Sequence, residues 1–134
     1  MKAARIDHVH LRIPEDELEH AIEFYQGLLG FQIEGFDEYE RGETPIFHVR
    51  LAPETIIHIR PTDDFVHPER QNFDHLAIIL EADIEDVKQE LEDAGVIIER
   101  EGTPDGATGE APAIYVRDPF GYLIELKEPV PETA

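Results

Sequence analysis

The sequence predicts an α+β fold made of two copies of one module, and three observations carry that expectation. Residues 5–61 and 72–128 share one layout, at a constant offset of 67 residues where the polar side chains matter. Two stretches carry apolar residues at the helical period of about 3.6. The segments around them alternate apolar and polar residues, as half-buried strands do. At 134 residues the chain suits one domain with a sizeable core, with module 1 at about 5–61 and module 2 at about 72–128.

Each module opens with a strand carrying Asp-His: Ile6-Asp7-His8-Val9-His10-Leu11, and then Phe73-Asp74-His75-Leu76-Ala77-Ile78. A helix follows in each. The first is expected at roughly 15–29, with Leu18, Ala21, Ile22, Tyr25 and Leu28 on its core face and Gly30 as its stop. The second is expected at roughly 84–94, with Ile84, Val87, Leu91 and Ala94 facing inward, Asp83 as cap and Gly95 as stop. Each module closes with a hairpin. The first joins Phe47-His48-Val49-Arg50 to Ile56-Ile57-His58-Ile59; the second joins Ile114-Tyr115-Val116-Arg117 to Leu123-Ile124-Glu125-Leu126. Alternation sends residues 57 and 59 to one face and His58 and Arg60 to the other, with Glu125 in the place of His58. Gly106 to Gly109 and Pro112 read as a mobile loop, 62–72 as a polar linker and 129–134 as a frayed tail.

Composition narrows the function classes. Asp and Glu number 31 against 11 Lys and Arg, a net charge of −20, and the only lysines are Lys2, Lys88 and Lys127. Such a field repels nucleic acid and anionic membranes, so neither is an expected partner. Acid-rich, lysine-poor surfaces suit a salt-loving source, where a Debye length of about 3 Å at molar salt removes most self-repulsion. No apolar run reaches membrane-spanning length and the N-terminus lacks a signal-peptide core, so a cytoplasmic protein is expected. With no cysteine, disulfides and thiolate metal sites are excluded, and any metal must be held by His, Asp or Glu.

The repeat picks out such a set. His8 and His75 are 67 apart, as are His58 and Glu125; His8 to His58 and His75 to Glu125 are both 50 residues. His58 and Glu125 are lone polar groups in apolar strands, where a charge is costly without a partner. Imidazole and carboxylate together suit Fe, Mn, Co, Ni or Zn. His10, on the face of His8, is a candidate either to support a metal ligand or to contact substrate. His48 and Tyr115 hold equivalent hairpin positions, and either could donate a hydrogen bond to substrate. His20 and His67 read as surface residues. Arg50, Arg60 and Arg117 are expected to pair with acids, one of them being a candidate for a substrate carboxylate. No Ser-His-Asp set and no phosphate loop appears.

Asp7-His8-Val9 followed by a helix ending Phe24-Tyr25-Gln26-Gly27-Leu28-Leu29-Gly30-Phe31 resembles the opening module of the vicinal oxygen chelate superfamily. So do Asp74-His75-Leu76 and the run Val116-Arg117-Asp118-Pro119-Phe120-Gly121-Tyr122-Leu123-Ile124-Glu125-Leu126. The superfamily includes glyoxalase I, methylmalonyl-CoA epimerase, fosfomycin resistance enzymes, extradiol dioxygenases and bleomycin resistance proteins. The resemblance implies two tandem βαβββ modules forming a curved, partly open sheet around a metal site. It implies His8, His58, His75 and Glu125 as ligands of one divalent ion per site (Zn, Ni, Co, Mn or Fe). It also implies a homodimer and a small-molecule substrate with vicinal oxygens. His58 departs from the glutamate of glyoxalase I and the glutamine of the epimerase, which leaves Glu125 as the carboxylate able to act as base. Extradiol dioxygenases use only the positions of His8, His75 and Glu125, and keep a tyrosine where Tyr115 stands. Four protein ligands on an octahedral ion leave two places, enough for vicinal oxygens but not for O₂ as well. The expectation is therefore a glyoxalase I-like lyase or isomerase, with Glu125, Tyr115 and His10 in catalysis. Fe(II) ring cleavage and non-catalytic drug sequestration are the alternatives.

Overall fold

The computed structural model describes residues 1–69 and 71–131. Its chain divides into two compact units, with the boundary between Val66 and His67. The fold is α+β, as the patterning indicates, with a four-stranded mixed sheet in each unit. Residues 132–134 of the expected tail lie outside the described residues. No helix among the described residues is long and apolar enough to cross a membrane.

The first unit runs β1 (His8–Pro14), α1 (Leu18–Ile22), β2 (Gln32–Glu34), α2 (Phe36–Glu40), β3 (Phe47–Ala52) and β4 (Thr55–Thr62). Sheet order is β1-β4-β3-β2, with β1 and β4 parallel and the other pairs antiparallel. Alternate residues fill the core: Leu11, Ile13, Phe47, Val49, Ile57 and Ile59 are all buried. The helix starts later than the apolar stripe indicates, because a turn closed by Glu17 N–H to Pro14 O at 3.2 Å comes first. It then widens into a π-helical turn at Glu23–Leu28, where Leu29 N–H reaches back five residues to Phe24 O. The extra residue in that turn lets Phe24 join Tyr25 in the core, at 6% and 0% exposure. Gly30, at φ 77°, ends the helix as expected. Helix α2 is an addition that the repeat does not foretell. It lies against β3, with the Phe36 and Tyr39 rings 5.2 and 5.8 Å from that of Phe47.

The second unit runs β5 (Leu76–Ile79), α3 (Ile84–Asp93), β6 (Arg100–Gly102), β7 (Ala113–Arg117) and β8 (Leu123–Lys127), in sheet order β5-β8-β7-β6. Asp83 caps α3 by accepting from Glu85 N–H at 2.9 Å, and Gly95 follows at φ 84°. Strand β8 differs from the simple alternation expected. Ile124 and Leu126 are fully buried, yet Glu125 and Lys127 on the other face are only 4% and 2% exposed. Part of the cover is the glycine loop expected to be mobile. Lys127 Nζ donates to Gly109 O at 2.7 Å, and Glu128 N–H donates to Pro112 O at 2.9 Å.

The β7–β8 connection is a tight turn built by its own side chains. Buried Asp118 accepts through one carboxylate oxygen from the N–H groups of Phe120 and Tyr122, both at 2.9 Å. Arg117 reaches Gly121 O at 2.7 Å. Gly121 has φ 97°, and the His67 ring occupies the place where a Cβ would stand. Gly121→Ala is expected to lower stability by about 1–2 kcal/mol through the left-handed backbone alone, since the exposed His67 ring can swing aside. His67→Ala is expected to stay within about 0.5 kcal/mol of the parent in urea unfolding.

Candidate metal centre

The registers gather histidines in the first unit. His10 pairs with His58 across β1 and β4, His58 with His48 across β4 and β3, and His48 with Glu34 across β3 and β2. A row of Glu34, His48, His58 and His10 therefore crosses the sheet on the face opposite Ile57 and Ile59. The His58 ring lies 4.4 Å from that of His8, 5.6 Å from that of His10 and 5.8 Å from that of His48. His8 Nδ1 lies 2.7 Å from Asp7 Oδ2. A proton on Nδ1 makes that contact a hydrogen bond and leaves the Nε2 lone pair open.

Burial, followed by the neighbouring His8, His10 and His48, holds the His58 pKa below its ordinary value, with Asp7 opposing. These influences favour the neutral ring, the form that ligates. Its Nδ1 is enclosed and has no hydrogen-bond partner. An orphan of that kind costs about 1–3 kcal/mol. The other two histidines of the row are engaged. His10 accepts from Arg60 Nε at 3.1 Å, and burial, then Arg60, holds its pKa low. His48 Nε2 lies 2.9 Å from Glu34 Oε1. Glu34 in turn is held below the usual carboxylate range, first by Arg50 and then by His48.

The second unit repeats the arrangement with different side chains. His75 Nδ1 lies 2.7 Å from Asp74 Oδ1, and its Nε2 lies 3.1 Å from Glu125 Oε1. The cross-strand row here is Arg100, Tyr115, Glu125 and Ala77. The Tyr115 ring stands edge-on to His75 at 5.5 Å. Burial first, then Glu125, raises the Tyr115 pKa while Arg100 pulls it down, so the hydroxyl keeps its proton and can donate.

The structure thus brings His8 to His58 and His75 to Glu125, with His10 and Tyr115 beside those pairs. Among the described residues, no group of three or more His, Asp or Glu side chains is gathered so as to hold a metal. The donor types nonetheless suit a divalent cation. Each unit offers a histidine oriented through Nδ1 by the preceding aspartate, the usual second partner of a ligating imidazole. To these the first unit adds a neutral His58 with an orphan nitrogen, and the second a buried carboxylate. Arg50 and Arg117 pair with Glu34 and Glu99 at 2.9 Å, as expected of them, whereas Arg60 serves His10. The orienting role of Asp7 and Asp74, and the place of Arg100 over Tyr115, were not read from the sequence. The repeated Asp-His dipeptide was a signal for the first; nothing in the pattern marked the second.

Comparison with known proteins agrees with the fold. The family described as Glyoxalase/Bleomycin resistance protein/Dioxygenase superfamily matches residues 5–126. Virulence protein STM3117 of Salmonella typhimurium is 33% identical over 125 residues, 92% of this chain and 83% of that protein. Its crystal structure superposes with a TM-score of 0.75 at 29% identity, covering 97% of this chain and 100% of that one. Glutathione transferase FosA of Serratia marcescens is 26% identical over 118 residues, 87% of this chain and 77% of that protein.

Proposed function

We propose that this chain, which belongs to the glyoxalase/bleomycin resistance protein/dioxygenase superfamily, is a metal-dependent lyase or isomerase acting on a small molecule with two adjacent oxygens. His8 and His58 from the first unit, and His75 and Glu125 from the second, are its metal ligands. The observation that carries the reading is the matched pair of dyads, Asp7–His8 and Asp74–His75, each at 2.7 Å. One such pair is common on a protein surface. Two at equivalent places of a repeat, each beside a second donor, are what a ligand set requires.

A divalent ion held there supplies Lewis acidity to the substrate oxygens. The chain's own groups do the rest. Glu125, with His75 at 3.1 Å, would act as the base that takes a proton from the carbon next to a substrate carbonyl. Tyr115 donates a hydrogen bond from a hydroxyl that keeps its proton. His10, fixed by Arg60, would contact the substrate from the first unit.

Asp7→Asn and Asp74→Asn are each expected to weaken metal affinity about 10–100-fold while leaving the fold intact, as isothermal titration and circular dichroism would read. His58→Ala separates the reactions. Loss of affinity favours the four-ligand lyase or isomerase; unchanged affinity puts three-ligand Fe(II) ring cleavage first. The likeness to a glutathione transferase makes thiol addition the next reaction to assay.

A further inference from the structure

We propose that Arg100 is a specificity-determining residue that binds an oxyanionic group of the substrate, a carboxylate or phosphate, in a cleft beside Tyr115. The cleft has a volume of about 200 Å³ and is lined by Glu99, Arg100, Tyr115 and Leu123. The inference rests on the reading of Glu125 and His75 as the reactive end of the site, because Tyr115 joins the two regions.

In a chain of net charge −20, arginines are expected to be taken up by acids, and most are. Arg5, Arg12, Arg41, Arg50 and Arg117 each pair with a carboxylate. Arg100 has no carboxylate partner among the described residues. The two glutamates that flank it are engaged elsewhere, Glu99 with Arg117 at 2.9 Å and Glu101 with Lys88 at 3.0 Å. The one carboxylate lining the cleft is thus already neutralised, and the cleft keeps the positive charge of Arg100.

Tyr115 holds the guanidinium in place, through a side-chain hydrogen bond as well as through its ring. The central carbon of the guanidinium lies 4.1 Å from the centre of the Tyr115 ring. A guanidinium carries five N–H donors, so the contact with Tyr115 leaves others for an oxyanion. The repeat adds an internal comparison. In the first unit the same register position, opposite His48, holds Glu34, and Arg50 neutralises it. In the second unit the position opposite Tyr115 has become an arginine left without an acid. Such a charge beside a hydroxyl donor favours a ligand that brings its own negative charge.

The test follows Arg Nε–Hε and tyrosine ring signals by NMR in the full chain. Inorganic phosphate is titrated at constant ionic strength with a chelator present, and acetate in a parallel series. Saturable shifts at Arg100 and Tyr115 are expected, at least about 10-fold weaker in Arg100→Gln and unchanged in the control Arg12→Gln. Arg100→Lys keeps the charge but not the fork, and is expected to fall between them. The proposal is overturned if the parent protein shows no saturable shift with either anion, or if Arg100→Gln titrates like the parent. Metal affinity of Arg100→Gln is measured alongside and is expected to match the parent. If the parent takes up no metal while Arg100 still responds to anions, the metal reading fails and the anion site stands. If metal binds and Arg100 ignores both anions, the reverse holds.

Discussion

Glu125→Gln is expected to lower affinity for a divalent metal by at least about 100-fold, more than either aspartate variant, because it removes a ligand charge rather than the partner of a ligand. The substitution keeps the volume and nearly the shape of the side chain, so packing in β8 is preserved. That matters at this position, since Ile124 and Leu126 on either side are fully buried and Glu125 itself is 4% exposed. A smaller residue would confuse loss of the ligand with loss of the strand. The carboxylate is also the partner of His75 Nε2 at 3.1 Å and of the Tyr115 hydroxyl. A neutral amide is a weaker acceptor for the hydroxyl, so the Tyr115 pKa is expected to fall in the variant as a raising influence is lost. Titration calorimetry reads the affinity and ultraviolet absorbance reads the tyrosine. Unchanged affinity with a correctly folded variant would remove Glu125 from the ligand set.

Asp118→Ala is expected to have the largest effect on stability, a loss of about 3 kcal/mol. One oxygen of this buried carboxylate accepts two backbone N–H groups, from Phe120 and Tyr122 at 2.9 Å each. Alanine leaves both donors without that acceptor, and the Phe120 donor is in a buried place. Against a total stability of about 5–15 kcal/mol for a domain of this size, that is a large share. Asp118→Asn retains an acceptor oxygen in the same place and is expected to lose about 1 kcal/mol. Urea unfolding of the two variants separates the acceptor from the charge. Because this turn sets the start of β8, the alanine variant is also expected to bind metal less tightly than the asparagine one.

Much of the fold was legible because the chain repeats itself. The two helices and two hairpins fall near where apolar periodicity and the offset of 67 residues put them, while the opening strands start later, β1 at His8 and β5 at Leu76, just after Asp74-His75. The departures have local causes. The first helix carries one residue too many for its stripe, and the π-helical turn absorbs it by burying Phe24 beside Tyr25. Helix α2 is five residues long, too short for a period to show. The double-sided burial of β8 depends on Lys127 reaching a loop 18 residues away, which no alternation rule contains.

The candidate ligands were legible for the same reason as the fold, since equivalent positions stand out once the repeat is seen. Their supporting groups were not. Asp7 and Asp74 look like ordinary surface acids until each is found bonded to the histidine that follows it. Arg100 sits between two glutamates in sequence and would be read as paired with them. Only the folded chain shows that Glu99 pairs with Arg117, Glu101 with Lys88, and that Arg100 lies over Tyr115.

The central claim is that this chain binds a divalent metal through residues of both modules. The most direct measurement is the metal content of protein purified at high salt and then reconstituted in turn with Zn, Ni, Co, Mn and Fe(II), read by elemental mass spectrometry for the parent and for His58→Ala. About one ion per chain in the parent, with His58→Ala retaining much less after dialysis, is the expected result. Failure of the parent to retain any of these ions would contradict the account and leave a superfamily member that binds its small molecule without metal.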